Sequence, residues 1–239
     1  MSTIPDKPPF KFLDILYKKE FILFIVLVSI LILNSNISPY FLDLYNLIDS
    51  TFLFSEKAII ALTMTFVIIA RQIDLSVASI IAVSSCVLGY TTSLGYDTWL
   101  VISFTLLSCA LCGAFNGAII TKFAIPSIIV TIGTMSLFRG LAYSFLEDSY
   151  YNKFPKLVSN LGSGYLFGYI PYAFLTFLLL SLVFAFILHK TSVGKKIYSI
   201  GNNPDAAQYT GIAVDKYTFV LFTLNGVFSA IAEIGRAHV

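Results

Sequence analysis

The chain is 239 residues long, 57% hydrophobic and only 12% charged, with a formal net charge of +2. A typical soluble domain is about 45–50% apolar and about 25% charged. A water-soluble globule of this size cannot hide such an excess, disordered chains are poor in apolar residues, and so small a net charge leaves no broad basic field for nucleic acid.

What remains is an all-α polytopic membrane protein, and the uncharged runs give its spans. A spanning helix needs about 20 mostly apolar residues. After a basic N-terminal segment, residues 1–20, the interval Glu20–Asp43 encloses 22 uncharged residues. The 13 between Lys57 and Arg71 extend backwards through Thr51. Asp74–Asp97 encloses 22 and Asp97–Lys122 encloses 24. The 16 between Lys122 and Arg139 continue in pattern to Leu146. Lys156–His189 encloses 32, densest from Gly168 to Leu188, and a seventh run, Tyr217–Ala232, reads as cut short. Helices are expected, because a barrel would show ten-residue alternating segments and these runs are solidly apolar. The first run lacks a small-residue cleavage site and reads as an uncleaved span.

Basic residues set the expected orientation. With the N-terminus cytoplasmic, the inner segments hold Lys7, Lys11, Lys18, Lys19, Arg71, Lys122, Lys190, Lys195, Lys196 and Lys216. The outer loops hold only Lys57, Lys153 and Lys156. The three cysteines form no disulfide framework, and the CxxC at Cys109 and Cys112 reads as two small residues on a helix face, not a metal site. No phosphate-loop, zinc-protease or serine-hydrolase motif occurs, so neither ATP hydrolysis nor catalysis is expected of this chain. Asp74 and Arg139 are the titrating candidates at membrane depth, and they form no catalytic pair.

Four places carry information. At Ala70–Ser79 a polar break separates two apolar runs, and Asp74 is expected to cap the following helix. The same break, with Ser76, also reads as a functional element. Gly113-Ala-Phe-Asn116-Gly117 is a close-packing pattern in which Asn116 should find a hydrogen-bond partner or a polar solute. In the fifth run Pro126 falls at the start, and Thr131, Gly133, Thr134 and Ser136 make one stretch small and polar. Arg139 follows, either snorkelling to the interface or lining an aqueous cavity. Finally, in the inner loop 189–216, Asn203 suits an N-cap and Pro204 the first helical position. Asp205 complements the dipole there, and Gly211 falls just past the end. The result is a two-turn helix that must dock on something, being too short to stand alone.

From Leu62 to Ala232 the chain resembles the membrane permease subunit of a bacterial ABC importer for monosaccharides. Ile73–Ser79 matches the family's inner-turn motif, and Gly113–Gly117 its GxxNG motif. Ile125–Thr134 with Arg139-Gly140 matches a third motif, and Gly201–Ile212 the loop motif GxNPxAAxxxGI. Arg71, Gln72 and Ala78 depart from the family's glycines and, with Tyr209-Thr-Gly-Ile212, are more similar to the rhamnose and autoinducer-2 branches than to the ribose branch. The resemblance implies a partner ATPase that holds the ATP and Mg, with no cofactor on this chain. It also implies a second permease copy or paralogue, an extracytoplasmic sugar-binding protein, and the bacterial cytoplasmic (inner) membrane as location. It implies that Gly201, Asn203, Pro204, Asp205, Ala206, Ala207 and Gly211 form the coupling element. Asn116, Thr131, Thr134, Ser136 and Arg139 are then the expected substrate path, Asp74 and Ser76 the inner-turn motif. A carrier that works without an ATPase, and a non-transporting scaffold, are the alternatives. Glu233–Val239 matches the translation of a common sequencing-library adapter and is expected to be a non-native tail.

Overall fold

A computed structural model describes residues 19–146, 151 and 154–235. Lys7, Lys11, Lys18 and Lys153 of the charge count, and Arg236–Val239 of the expected tail, lie outside those residues. The chain divides into two compact units, residues 1–47 and 48–239. In the first, α1 (Lys19–Ile37) folds two asparagine amides back onto its own carbonyls, Asn34 onto Ile30 and Asn36 onto Ile32, each at 2.8 Å. That is how an amide is satisfied in an apolar helix.

Helix α2 (Leu44–Ile69) bends by 44° between Phe52 and Phe54. The second unit continues with α3 (Val77–Ser93), α4 (Thr98–Phe123) and α5 (Ser127–Leu146). Then come short α6 (Lys156–Ser163) and a two-stranded hairpin, β1 (Tyr165–Leu166) with β2 (Ile170–Pro171). Helices α7 (Tyr172–Lys190), α8 (Ser192–Asn202), α9 (Pro204–Tyr209) and α10 (Val214–Ile234) complete it. Each apolar run carries a helix, and the run between Lys156 and His189 also carries the hairpin, so the densest part expected from Gly168 becomes helical only at Tyr172. Four of the helices (α4, α5, α7, α10) are long and apolar enough to cross a membrane, and the bent α2 makes a fifth. Phe21–Ile37 and α3 are apolar but shorter. Helix α3 is short because the preceding residues, 70–76, are irregular. Helix α10 ends two residues beyond the expected Ala232, and both Glu233 and Ile234 are buried.

Local chemistry sets the helix ends. Asp97 caps α4 by accepting from the Trp99 N–H at 3.0 Å. Helix α2 stops in a paired turn, with Arg71 N–H donating to Ile68 and Gln72 N–H to Val67, both at 3.0 Å. This closure needs a left-handed residue, and Arg71 supplies it with φ of +60°. A side chain is strained there and glycine is not. Arg71→Gly is therefore expected to stabilise the chain by about 1 kcal/mol or less, read as a raised unfolding midpoint. A lowered midpoint would show that the arginine side chain contributes more than its backbone strain costs.

The core of the second unit is a stack of three apolar clusters. Phe66, Val67 and Ala70 of α2 and its exit meet Ile120, Val130, Leu188, Ile197, Ile200, Ala207, Leu221 and Phe222 at one end. Ile80, Cys109, Phe138 and Ala230 form the middle. Leu88, Val101, Val158 and Ile234 close the α6 end. Phe184 of α7 joins its neighbours through edge-to-face contacts with Phe66 and Phe228, ring centres 5.1 and 5.0 Å away.

Helices α4 and α10 approach most closely, and glycines permit it. A Cβ on Gly113 would collide with the Phe222 carbonyl, and one on Gly226 with the Cys109 carbonyl. A Cβ on Gly117 would meet Phe219 Cα at 2.9 Å. The GxxxG pattern thus does what its spacing predicts. Gly113→Ala is expected to destabilise the bundle by about 1–3 kcal/mol through overpacking, measured as resistance to denaturant in detergent. An unchanged midpoint would contradict this packing.

Candidate functional site

Residues 70–76 break the helical path between α2 and α3, yet Asp74 and Ser76 are buried. Irregular backbone at such a place is tolerated only where protein satisfies its polar groups. The start of α5 does so. Ile73 N–H donates to Ser127 Oγ at 3.0 Å, and Thr131 Oγ1 donates to the Ile73 carbonyl at 3.3 Å and to that of Ser127 at 2.8 Å.

Around the break lies a buried polar node. Asp74 Oδ1 accepts from the Ser76 N–H at 2.9 Å and the Ser76 hydroxyl at 2.6 Å. Asp74 Oδ2 accepts from Asn225 Nδ2 at 2.8 Å. Asn116 Nδ2 donates to Ser76 Oγ at 2.8 Å, and Thr63 Oγ1 to Asn225 Oδ1 at 2.7 Å. None of the five residues is more than 3% exposed. Every group facing Asp74 is a donor, which suits an acceptor-only carboxylate. Burying a carboxylate is costly unless its oxygens are so bonded. The node ties α2, the break, α3, α4 and α10 together through a chain of five side chains with Asp74 at its centre. Asn116 Oδ1 is buried and accepts no hydrogen bond, so the node is one donor short.

Asp74 was expected to cap α3. Instead Ser76 occupies the N-cap, and Asp74 folds back on it from two residues upstream while reaching across to α10. The aspartate is a hub between helices because its second oxygen faces Asn225, which no local capping rule includes.

At the same end of the bundle sits the helix pair α8–α9. Asn203 Oδ1 accepts from the Ala206 N–H at 3.0 Å, Pro204 is the first helical residue and Asp205 lies in the first turn. Gly211 closes the other end with φ of +85°, its N–H donating to Gln208 at 2.9 Å while Ile212 N–H donates to Ala207 at 3.1 Å. Both caps of the expected helix are present. Helix α8 was not foreseen; the loop 189–216 holds two helices, not one. Thr191 caps α8 by accepting from the Gly194 N–H at 3.4 Å, and α8 buries Gly194, Ile197 and Ile200. A Cβ on Gly201 would collide with the Ile69 carbonyl at the end of α2. The pair is thus seated directly on the break, with Ala207 buried inward. Asp205, Ala206, Gln208 and Tyr209 face outward, Tyr209 being 92% exposed.

The expected path residues separate into two sets. Asn116, Thr131 and Thr134 are buried, the first two bonded to the break, and Thr134 Oγ1 donating to the Thr131 carbonyl at 3.4 Å. Ser136 and Arg139 are exposed on the opposite face of α5, beside Gly133 and Gly140, over which nothing lies within 4 Å. A partly open pocket of about 130 Å³ between α3, α4 and α5 is lined mainly by hydrocarbon, among it Val83, Leu141 and Phe145, with Tyr90, Cys86 and Cys112. Sequence reasoning missed Asn225, Thr63 and Ser127. Asn225 had a signal: Asn225-Gly226 in α10 repeats the Asn116-Gly117 pair of α4.

Residues 46–234 match the family described as branched-chain amino acid transport system / permease component. The chain belongs to that permease family. It is 34% identical over 224 residues to the ribose import permease protein RbsC of Haemophilus influenzae, covering 91% of this chain and 67% of the relative. It is 33% identical to the autoinducer 2 import system permease protein LsrD of Klebsiella pneumoniae, covering 90% and 66%. The corresponding LsrC protein of Yersinia pestis is 33% identical over 193 residues, covering 80% and 55%. The chain therefore spans between about half and two thirds of the length of these relatives. No solved structure is significantly similar to it. As a member of this permease family with several helices able to cross a bilayer, it is a multi-pass protein of the bacterial cytoplasmic membrane.

Proposed function

We propose that the chain is the transmembrane subunit of an ATP-driven importer that carries a monosaccharide or related small polyol inward. Its helices α1–α5, α7 and α10 cross seven times with the N-terminus cytoplasmic. A separate ATPase seats on the outward face of α9, and a second permease copy or paralogue completes the path. An extracytoplasmic binding protein delivers the sugar. The names of the relatives, ribose and autoinducer 2 import permeases, support the substrate class. The observation that carries the coupling role is the position of α9, capped at both ends and held by α8 against the end of α2.

The route of force follows from those contacts. A push on α9 passes through Ala207 and α8 to Ile69 and Ala70, and so into the break that carries Asp74. A rigid short helix transmits such a motion without absorbing it, and packed interfaces respond by switching between arrangements. The unfilled Asn116 acceptor gives the node an alternative: a rearrangement that brought a donor there would gain about 1–3 kcal/mol. The substrate path runs along the exposed face of α5, where Ser136 and Arg139 offer the hydrogen-bonding groups that a sugar needs, whereas the 130 Å³ pocket is lined mainly by hydrocarbon. The test is uptake of labelled sugar by cells that lack the native chain. Ser136→Leu with Arg139→Leu is expected to abolish uptake while leaving membrane insertion intact. Full uptake by that double variant would place the path elsewhere.

A further inference from the structure

The β1–β2 hairpin does nothing for the node or the helix pair, yet it is tightly fixed. Its strands are antiparallel, with Tyr165 opposite Pro171 and Leu166 opposite Ile170. Tyr172 N–H donates to the Gly164 carbonyl at 3.0 Å, locking the hairpin base to α7. A Cβ on Gly164 would collide with the Asn160 carbonyl of α6 and press on the Tyr172 ring at 2.8 Å, so glycine lets the hairpin base sit tightly between α6 and α7. The Tyr165 hydroxyl donates to Asp49 at 3.2 Å, and its ring meets Phe52 edge-on with centres 5.2 Å apart.

What this rigid base presents is unusual for a tip in water. Phe167 and Gly168 both have positive φ, +54° and +78°, a turn that Asn-Gly normally fills. Phenylalanine is a strained choice there, and an outlier of this kind points to a use for its side chain. Phe167 is 86% exposed and Tyr169 68%. The tip lies inside the 32 residues, 157–188, that contain no charge at all. That uncharged stretch continues straight into α7, whose 19 residues span about 28 Å, close to the roughly 30 Å hydrocarbon thickness. The first residue of α7 therefore stands at the hydrocarbon boundary. The tip, a few residues earlier, reaches only the headgroup layer. Tyrosine concentrates at that depth because its apolar ring and polar hydroxyl are both accommodated there, and phenylalanine beside it can bury a wholly apolar ring at the acyl boundary.

We infer that Phe167 and Tyr169 form a membrane-interface anchor, two aromatic rings held by a strained turn in the headgroup–acyl boundary of the leaflet at the α6 end. The occupant of this surface is phospholipid. The anchor fixes the N-terminal end of α7 relative to the bilayer, through the base at Tyr165 and Gly164. It rests on the chain being a multi-pass membrane protein and not on what is transported.

The chain has a single tryptophan, Trp99. In a Trp99→Phe background, Phe167→Trp therefore puts one fluorophore at the tip of the full chain in phosphatidylcholine liposomes. Its emission is expected to be blue-shifted, and quenched severalfold more by lipids carrying a nitroxide near the headgroup than near the chain end. Iodide added on both sides should quench it weakly. Water-like emission with full iodide quenching and no nitroxide quenching would overturn the anchor. The same result reversed only on adding a soluble partner protein would overturn it in favour of protein docking. A second pair of variants isolates the phenylalanine. Phe167→Gly suits the positive φ and should fold, but it should raise iodide quenching of a Tyr169→Trp reporter severalfold; unchanged quenching would show that Phe167 anchors nothing.

Discussion

Asp74→Ala is expected to abolish uptake and to lower stability by about 3–4 kcal/mol. It strips the acceptor from the Ser76 N–H, the Ser76 hydroxyl and the Asn225 amide at once, and all three lie where water does not reach. Asp74→Asn keeps the shape and the bonds to Ser76 but turns one oxygen into a donor facing another donor on Asn225. Its cost is expected to be smaller, about 1–3 kcal/mol. The exchange Asp74→Asn with Asn225→Asp restores an acceptor opposite a donor, and leaves Thr63 an oxygen to donate to. The double variant should therefore be more stable than Asp74→Asn alone. Thermal unfolding of the purified chain in detergent measures all three. A double variant no better than the single would mean that Asp74 and Asn225 are not coupled through that bond.

Ala206→Glu combined with Tyr209→Ala is expected to have the opposite profile. Both side chains face outward on α9, so stability should change by no more than about 0.5 kcal/mol. Sugar-stimulated ATP hydrolysis by the assembled complex should nevertheless be lost. Ala207→Glu must not be substituted for this test, because Ala207 is only 4% exposed within the apolar cluster and a carboxylate there would disrupt the fold itself. Asn203→Ala separates the two effects further. It removes the cap on the Ala206 N–H, at a cost of about 1 kcal/mol, and should weaken coupling in proportion to the loss of α9. Normal stimulation in the Ala206/Tyr209 variant would remove α9 from the coupling path.

The parts of this structure written in local chemistry were legible in the sequence. The α9 helix could be bounded at both ends because Asn203, Pro204 and Gly211 each satisfy a requirement of a helix terminus that involves only near neighbours. The apolar runs could be placed on helices because lipid forces backbone groups to pair within the segment. The Gly113–Gly117 contact was legible as packing, but its partner was not, since nothing local names Phe222 or Gly226. The polar node was half visible. Asp74, Ser76 and Asn116 stood out as polar groups in apolar surroundings, whereas their convergence depends on α10 crossing α4 beside the break. Thr131 illustrates the same limit: its residue type fits a sugar site, and only the fold shows it bonded to the Ile73 backbone. Helix α8 was hidden because Gly194, Gly201 and two lysines read as loop, while its stability comes from burying Ile197 and Ile200 against α2.

The measurement that bears most directly on the proposed role is uptake in proteoliposomes holding the chain with its cognate ATPase and binding protein. The account predicts that labelled sugar accumulates only when the ATPase and ATP are both present, and that omitting either reduces uptake to the level of empty vesicles. Accumulation by the chain alone, without any ATPase, would contradict it and identify a self-sufficient carrier.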